Sequence, residues 1–210
     1  MKKLLFTFAT SLLFANGAFA QDIQLPTPDK SNSMTLMQAL QQRQSGREFS
    51  TRAIDNQTLS QVLWAACGIN RPESKKITAP SAINAQDIQV YVASKYGVYL
   101  YLPLVNKLQK VTDEDVRPLV AGRQASIGEA PIHLILVSDL SKFGNRQNDA
   151  TITMATMDSG YVSENISLIC TALGLVTVPR MMMDKEGLKK ALQLTDHHEL
   201  LLNNPIGWPK

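Results

Sequence analysis

The sequence predicts a mixed α+β single domain, and three observations carry that reading. Helical stripes at 55–67 and 149–173 are interspersed with a β-rich hairpin at 88–102 and an unbroken apolar run at 132–137. No internal repeat and no linker separates these segments, so they build one mixed unit. The 210 residues, 44% of them hydrophobic, suffice for one ordinary core and are marginal for two.

The elements follow in order. Residues 1–20, MKKLLFTFATSLLFANGAFA, join a basic start to a short apolar stretch and an Ala-Phe-Ala step. That is a secretory signal layout with cleavage before Gln21. The stretch is short for a membrane span, which weighs against an uncleaved anchor. No cysteine follows it, so lipid modification is not expected. The expectation is an exported protein, periplasmic or secreted, with no stable membrane association after cleavage. Residues 21–33, polar and holding Pro26 and Pro28, read as an extended leader, and 34–210 as the folded domain.

Thr35 and Gln38 form a capping box for a first helix that turns Leu36, Met37 and Leu40 inward and stops near Gly46. Leu59, Val62, Leu63, Ala66 and Cys67 mark a second helix, with Gly68 at a left-handed cap. The hairpin turns at Gly97. Thr112 opens a short helix that Pro118 breaks or restarts. From Tyr161 on, the 149–173 helix is apolar on every side, the mark of a central helix covered on several faces. Gly174 ends it. A strand at 175–178, a helix at 184–192 and a last strand near Ile206 complete the chain.

Composition narrows the function. Lys2 and Lys3 supply two of the 21 basic residues; the remaining 19 face 18 acidic ones, leaving +1. A near-neutral body is not a nucleic-acid binder, which needs a basic face. Two cysteines, Cys67 and Cys170, make no disulfide scaffold, and export leaves a bridge between them open. His133, His197 and His198 match no zinc spacing. There is no G-x-S-x-G, Walker A or G-x-G-x-x-G pattern.

Two segments carry chemistry. Arg43-Gln44-Ser45-Gly46-Arg47-Glu48-Phe49 sets two guanidinium groups and a hydroxyl within five residues, a donor set suited to phosphate. The competing reading is a solvated helix C-terminus. Ala79-Pro80-Ser81-Ala82-Ile83-Asn84-Ala85-Gln86 is a loop of small residues whose amides both donate and accept, as a heterocycle edge requires. The competing reading is an ordinary turn into a strand.

In this order, Arg-x-Ser-x-Arg-x-Phe and Pro-Ser-x-x-Asn-x-Gln resemble the FMN-dependent nitroreductase family. Residues 165–174 (NISLICTALG), the Leu173-Gly174-Leu175 step and Pro205-Ile206-Gly207-Trp208-Pro209 are similar to that family's central helix and late Gly-aromatic-Pro element. Leu63-Trp64-Ala65-Ala66-Cys67-Gly68-Ile69-Asn70-Arg71 and Val98-Tyr99-Leu100-Tyr101 resemble its SagB-type dehydrogenase-like branch. The resemblance spans 34–209.

It implies a three-layer α/β/α fold with a mainly antiparallel sheet around a central helix, in a homodimer whose two subunits line each FMN site. It implies that Arg43, Ser45 and Arg47 hold the FMN phosphate, with Gln44 beside them, and that Asn84 meets the isoalloxazine ring with Pro80, Ser81 and Gln86 nearby. Residues 178–183 would lie beside the flavin, and Met181-Met182-Met183 read more simply as adaptable packing. The implied chemistry is ping-pong electron or hydride transfer between a small-molecule donor and a small-molecule acceptor, with no catalytic side chain and no metal. The chain stops at Lys210, where many relatives add a basic phosphate ligand: Lys210 takes that part or the site has lost a contact. The donor is a nicotinamide or, outside the cytoplasm, a quinone, thiol or protein. A dehydrogenase acting on a peptide or natural product and a non-catalytic flavin-binding dimer are the other two readings.

Overall fold

The computed structural model describes residues 21–31, 34–144 and 148–210. The expected signal peptide, 1–20, lies outside the described residues. Among the described residues one seven-stranded sheet organises the domain, in the order β1-β6-β5-β4-β7-β9-β8, and every pairing in it is antiparallel. The strands are β1 (Ile23–Gln24), β4 (Ile88–Ser94), β5 (Gly97–Leu102), β6 (Lys107–Thr112), β7 (Ile132–Asp139), β8 (Val176–Thr177) and β9 (His198–Gly207). A separate small ribbon joins β2 (Ile69–Arg71) to β3 (Lys76–Ile77).

Alternation along β4 and β7 divides the core into two. Val90, Val92, Leu134 and Leu136 point to one face, where α2 (Asn56–Cys67) and α4 (Asp149–Ala172) cover them. Tyr91, Ala93, Ile135 and Val137 point to the other, against Val120 of α3 (Arg117–Ala121) and Leu188 of α5 (Lys185–Ala191). The result is the three-layer α+β architecture the sequence implied.

Buried positions of α4 include Ser159, Ser163 and Ser167, one per turn on a single stripe. Small side chains let the helix lie close to β9, where Ser163 donates to Asn204 Oδ1 at 2.9 Å. Ser167 returns its hydroxyl to the Ser163 carbonyl at 2.9 Å, so no hydroxyl of this pair is stranded. The stripe therefore satisfies its own polarity in a dry interface.

Local expectations divide. The Thr35–Gln38 capping box forms, opening α1 (Leu36–Gln42). The inward face predicted for it does not: Leu36, Met37 and Leu40 are 64, 72 and 49% exposed, and Ala39 is its buried residue. One apolar side touches the domain through Ala39 while the larger side faces out. Gly68 is extended (φ −71°) rather than left-handed, because the chain passes directly into β2. Thr112 closes β6, and the helix starts later, with Pro118 in its first turn where a missing N–H costs nothing. Gly97 carries φ +110° at the hairpin turn. Cys67 and Cys170 are buried and free.

Candidate functional site

Segment 43–49 leaves α1 in extended form, starting at Arg43 (φ −56°, ψ 121°). Its backbone is docked at three points. Gly46 N–H donates to Thr177 O at 3.0 Å, Ser50 N–H donates to Trp208 O at 2.8 Å, and Phe49 bridges Pro209. A Cβ on Gly46 would stand 2.5 Å from Val176 Cγ1, so only glycine lets the chain approach β8 this closely. Arg52 stacks on the Trp208 ring at 4.0 Å and Trp208 Nε1 donates to Ala53 O at 3.2 Å, which fixes the C-terminal end against the same segment.

Phe49 is buried against Ala121, Ile127 and Val178, while the polar side chains of the segment take no part in the docking. Gln44, Ser45, Arg47 and Lys210 line one cleft of about 520 Å³ whose floor includes Thr171 and Val176. Lys210 Nζ stands 3.6 Å from Glu129, a loose and solvated pair. Arg43 does not line the cleft. Behind it lies Arg180, 7% exposed, whose guanidinium donates to Val120 O, Ala121 O, Asn203 Oδ1 and Gln124 Oε1 at 2.9–3.1 Å. No carboxylate pairs with it among the described residues. Burial and the nearby Arg47 charge hold its pKa below the usual arginine value. Glu48 lines the same cleft, so its charges are mixed.

The 80–86 loop sits elsewhere. It rests on α4 through Asp158, whose two oxygens accept the Ala82 N–H at 3.0 and 2.9 Å. Ser81 Oγ accepts the Gln86 N–H at 2.9 Å, and Gln86 Nε2 reaches Asn84 Oδ1 at 3.4 Å. Asn84 and Pro80 are exposed, Ser81 and Gln86 half-buried. Ile83, Asn84 and Gln86 take φ of 49, 58 and 48°, left-handed geometry that costs a β-branched residue most. Asp158 precedes Thr171 of the cleft by thirteen helical residues, about 20 Å along the axis at 1.5 Å each. One chain thus holds the two sequence segments on opposite halves of α4.

Three buried groups have surroundings that the sequence did not reveal. Asp87, fully buried, accepts the Ser138 hydroxyl and contacts Asp158; burial and that second carboxyl raise its pKa to about 7. His133 is buried on β7 with neither ring nitrogen hydrogen-bonded, and burial with the Arg117 and Arg180 charges lowers its pKa to about 3. Arg180 is the third. A signal existed for Asp158, an acid within the helix read as central; Asp87 drew no reading, and Arg180 fell inside the 178–183 stretch without a role of its own. No three His, Cys, Asp or Glu among the described residues could hold a metal.

The donor set of the cleft fits a phosphate monoester: a fork, an ammonium and a hydroxyl, on a backbone already fixed. The amides of the loop fit a heterocycle edge in kind. Comparison with known proteins gives the family. The model of the nitroreductase family matches residues 40–208. A protein of Methanocaldococcus jannaschii described as a nitroreductase is 29% identical over 195 residues, covering 89% of this chain and 96% of its own. A crystal structure from Ralstonia eutropha, also described as a nitroreductase, aligns at TM-score 0.86 and 32% identity, covering 100% of this chain and 96% of the other. A chain of the E. coli microcin synthetase McbBCD complex, solved with truncated pro-MccB17 bound, aligns at TM-score 0.72 and 18% identity over 100% of this chain and 79% of that one. At that identity the likeness is one of fold.

Proposed function

The chain belongs to the nitroreductase family, and on that premise we propose that it is an exported, homodimeric, FMN-dependent oxidoreductase working by a ping-pong exchange between a small donor and a small acceptor. The observation that carries this reading is the cleft that gathers Ser45, Arg47 and Lys210 at the C-terminal end of α4. FMN, when bound, supplies the electron and hydride chemistry. The chain's own work is to bind and orient. Arg47 offers a guanidinium fork to the phosphate, Ser45 a hydroxyl and Lys210 an ammonium, with Gln44 at the rim. Arg43, outside the cleft, sets the exit from α1 and adds charge at a distance. Asn84, Ser81 and Gln86 offer their polar atoms to the ring, with Pro80 shaping the loop.

Dimerisation supplies what one chain lacks. The exposed apolar side chains Leu36, Met37 and Leu40 of α1, Met157 and Tyr161 of α4 and Ile83 of the loop form a surface that a soluble monomer rarely leaves open. A second copy covering it would bring the loop of one protomer to the cleft of the other. Export rests on residues 1–20, ahead of a domain in which no described helix is long and apolar enough to cross a membrane.

A second reading has its own support. The 63–71 and 98–101 motifs favour a SagB-type dehydrogenase acting on a peptide or natural product, and the McbBCD chain, from a complex solved with truncated pro-MccB17 bound, shares the fold.

The test is direct. The purified protein should carry the absorbance of an oxidised flavin, bleach with a nicotinamide, quinol or thiol donor, and recover with an acceptor. Light scattering should give a dimer. A colourless protein that takes up no added FMN would sink the proposal. Reduction coupled only to peptide substrates would select the second reading.

A further inference from the structure

Asp87 and Asp158 form a buried acid pair beneath the 80–86 loop, 0 and 2% exposed. Asp158 holds the loop's Ala82 N–H with both oxygens. Asp87 takes the Ser138 hydroxyl on one oxygen, while its Oδ1 meets no donor among the described residues. No lysine, arginine or histidine forms an ion pair with either acid there. Among the described residues the groups bonded to the pair are the Ser138 hydroxyl from β7 and the Ala82 amide of the loop. Asp139, next on β7, turns its carboxylate away to Ser141. Two anions in contact without a cation, out of water, are not stable together; one proton between them resolves the conflict and fills the empty acceptor.

We propose that this shared-proton pair is a positioning device: it clamps the Ala82 amide and so keeps Ile83, Asn84 and Gln86 in the left-handed geometry that presents Asn84 to the ring. The last step rests on the FMN reading; the clamp on the loop does not. Neither acid touches the ligand. Left-handed geometry in three non-glycine residues needs an external hold, and the Asp158 bond and the Ser81–Gln86 bond are the side-chain holds on this loop.

The clamp has a pH signature. Opening the loop to water returns Asp87 to its ordinary acidity, near 4, against about 7 when closed. The open form then sheds the proton first. Opening should increase about tenfold per pH unit from roughly 4 to 7 and level off above.

Hydrogen exchange of apo-protein, followed between pH 5 and 8 on peptides spanning 80–88 and corrected for intrinsic rates, reads this directly. Wild-type protection should fall about tenfold per unit to pH 7 and then flatten. Asp87→Asn, whose amide donates permanently to Asp158, should stay protected with no slope, and Asp158→Asn likewise. Asp158→Ala should lose protection of the loop first; if it does not fold, the two Asn variants decide. A wild-type slope surviving in Asp87→Asn, or full protection in folded Asp158→Ala, would overturn the clamp. FMN titration of the same proteins tests the last step: Kd should weaken with pH in wild type and hold constant in Asp87→Asn. Failure of wild type to bind FMN, with the exchange result intact, would overturn the flavin reading and leave the clamp standing.

Discussion

The 43–49 segment and the 80–86 loop are both irregular, both polar and both packed on α4, yet they are held in opposite ways. The first is docked by backbone: Gly46 to Thr177, Ser50 to Trp208, Phe49 to Pro209. Phe49 anchors it in the core, but Ser45 and Arg47 take no part in that docking, so they can be exchanged with little consequence for folding. The second is held by side chains, the buried acids and Ser81, and its own backbone is strained. There, binding geometry and local stability are one quantity. The difference teaches that substitutions in the first segment report on ligand, while those under the second report on loop and ligand together.

The largest effect should come from behind the cleft. Arg180→Met leaves the Val120 carbonyl and the Asn203 amide oxygen without the guanidinium, while the Ala121 carbonyl keeps the Gln124 N–H, and should lower unfolding free energy by about 3 kcal/mol in denaturant titration. A loss under about 1 kcal/mol would mean that water replaces the guanidinium. Arg47→Ala should do the reverse: stability within about 0.5 kcal/mol of wild type, but FMN bound roughly 10- to 150-fold more weakly, with riboflavin unchanged. Arg47→Lys should recover part of the loss, since an ammonium has no fork. Equal losses for both flavins would remove the phosphate role.

Gly46→Ala places a methyl against Val176 and should cost about 1–3 kcal/mol, with FMN affinity falling as the segment lifts from β8. The acid window sets two groups against each other. His133, its pKa pressed down to about 3 against an ordinary 6.5, gives stability that is lost as pH falls below 6.5. Asp87, raised to about 7 from an ordinary 3.8, gives stability that is lost as pH rises toward 7. Between pH 4 and 6.5 the slopes oppose, so wild type should look nearly flat in thermal melts. Asp87→Asn should grow more stable with rising pH there. The smallest effect is Glu129→Gln, which frees Lys210 from an exposed pair and should tighten FMN by no more than about threefold. A larger gain would make Lys210 a principal phosphate ligand.

Much of this was legible from pattern. Helix α4, the capped start of α1, the hairpin and β7 each carry a long period or a specific cap, which local chemistry dictates. Strands β1 and β6 were not visible, because Ile23–Gln24 and Lys107–Thr112 are short, mixed in polarity and ordered by pairing with each other. The helix expected from Thr112 failed for the same reason: a threonine that could cap a helix ends a strand once β5 lies beside it. At the candidate site, Arg, Ser and Asn stood out because such residues in a short polar motif are easily picked from a sequence. Asp87 and Arg180 could not be found this way, because their meaning lies in what they touch across 50 or more residues of chain. The outward apolar face of α1 shows the converse limit, since period reveals that a face is apolar and not which body covers it.

Strand β1 also bears on how the molecule behaves in a crowd. Two residues, Ile23 and Gln24, pair with Leu108 and Lys107, and Asp22 locks the end by accepting the Lys110 N–H and pairing Lys107 at 2.7 Å. At the opposite margin β8 offers only Val176 and Thr177. Both rims of a wide antiparallel sheet are thus closed by strands too short to template another. Trimming the chain to Leu25 would bare the longer edge of β6, and such a product should self-associate on storage where the intact domain stays dispersed.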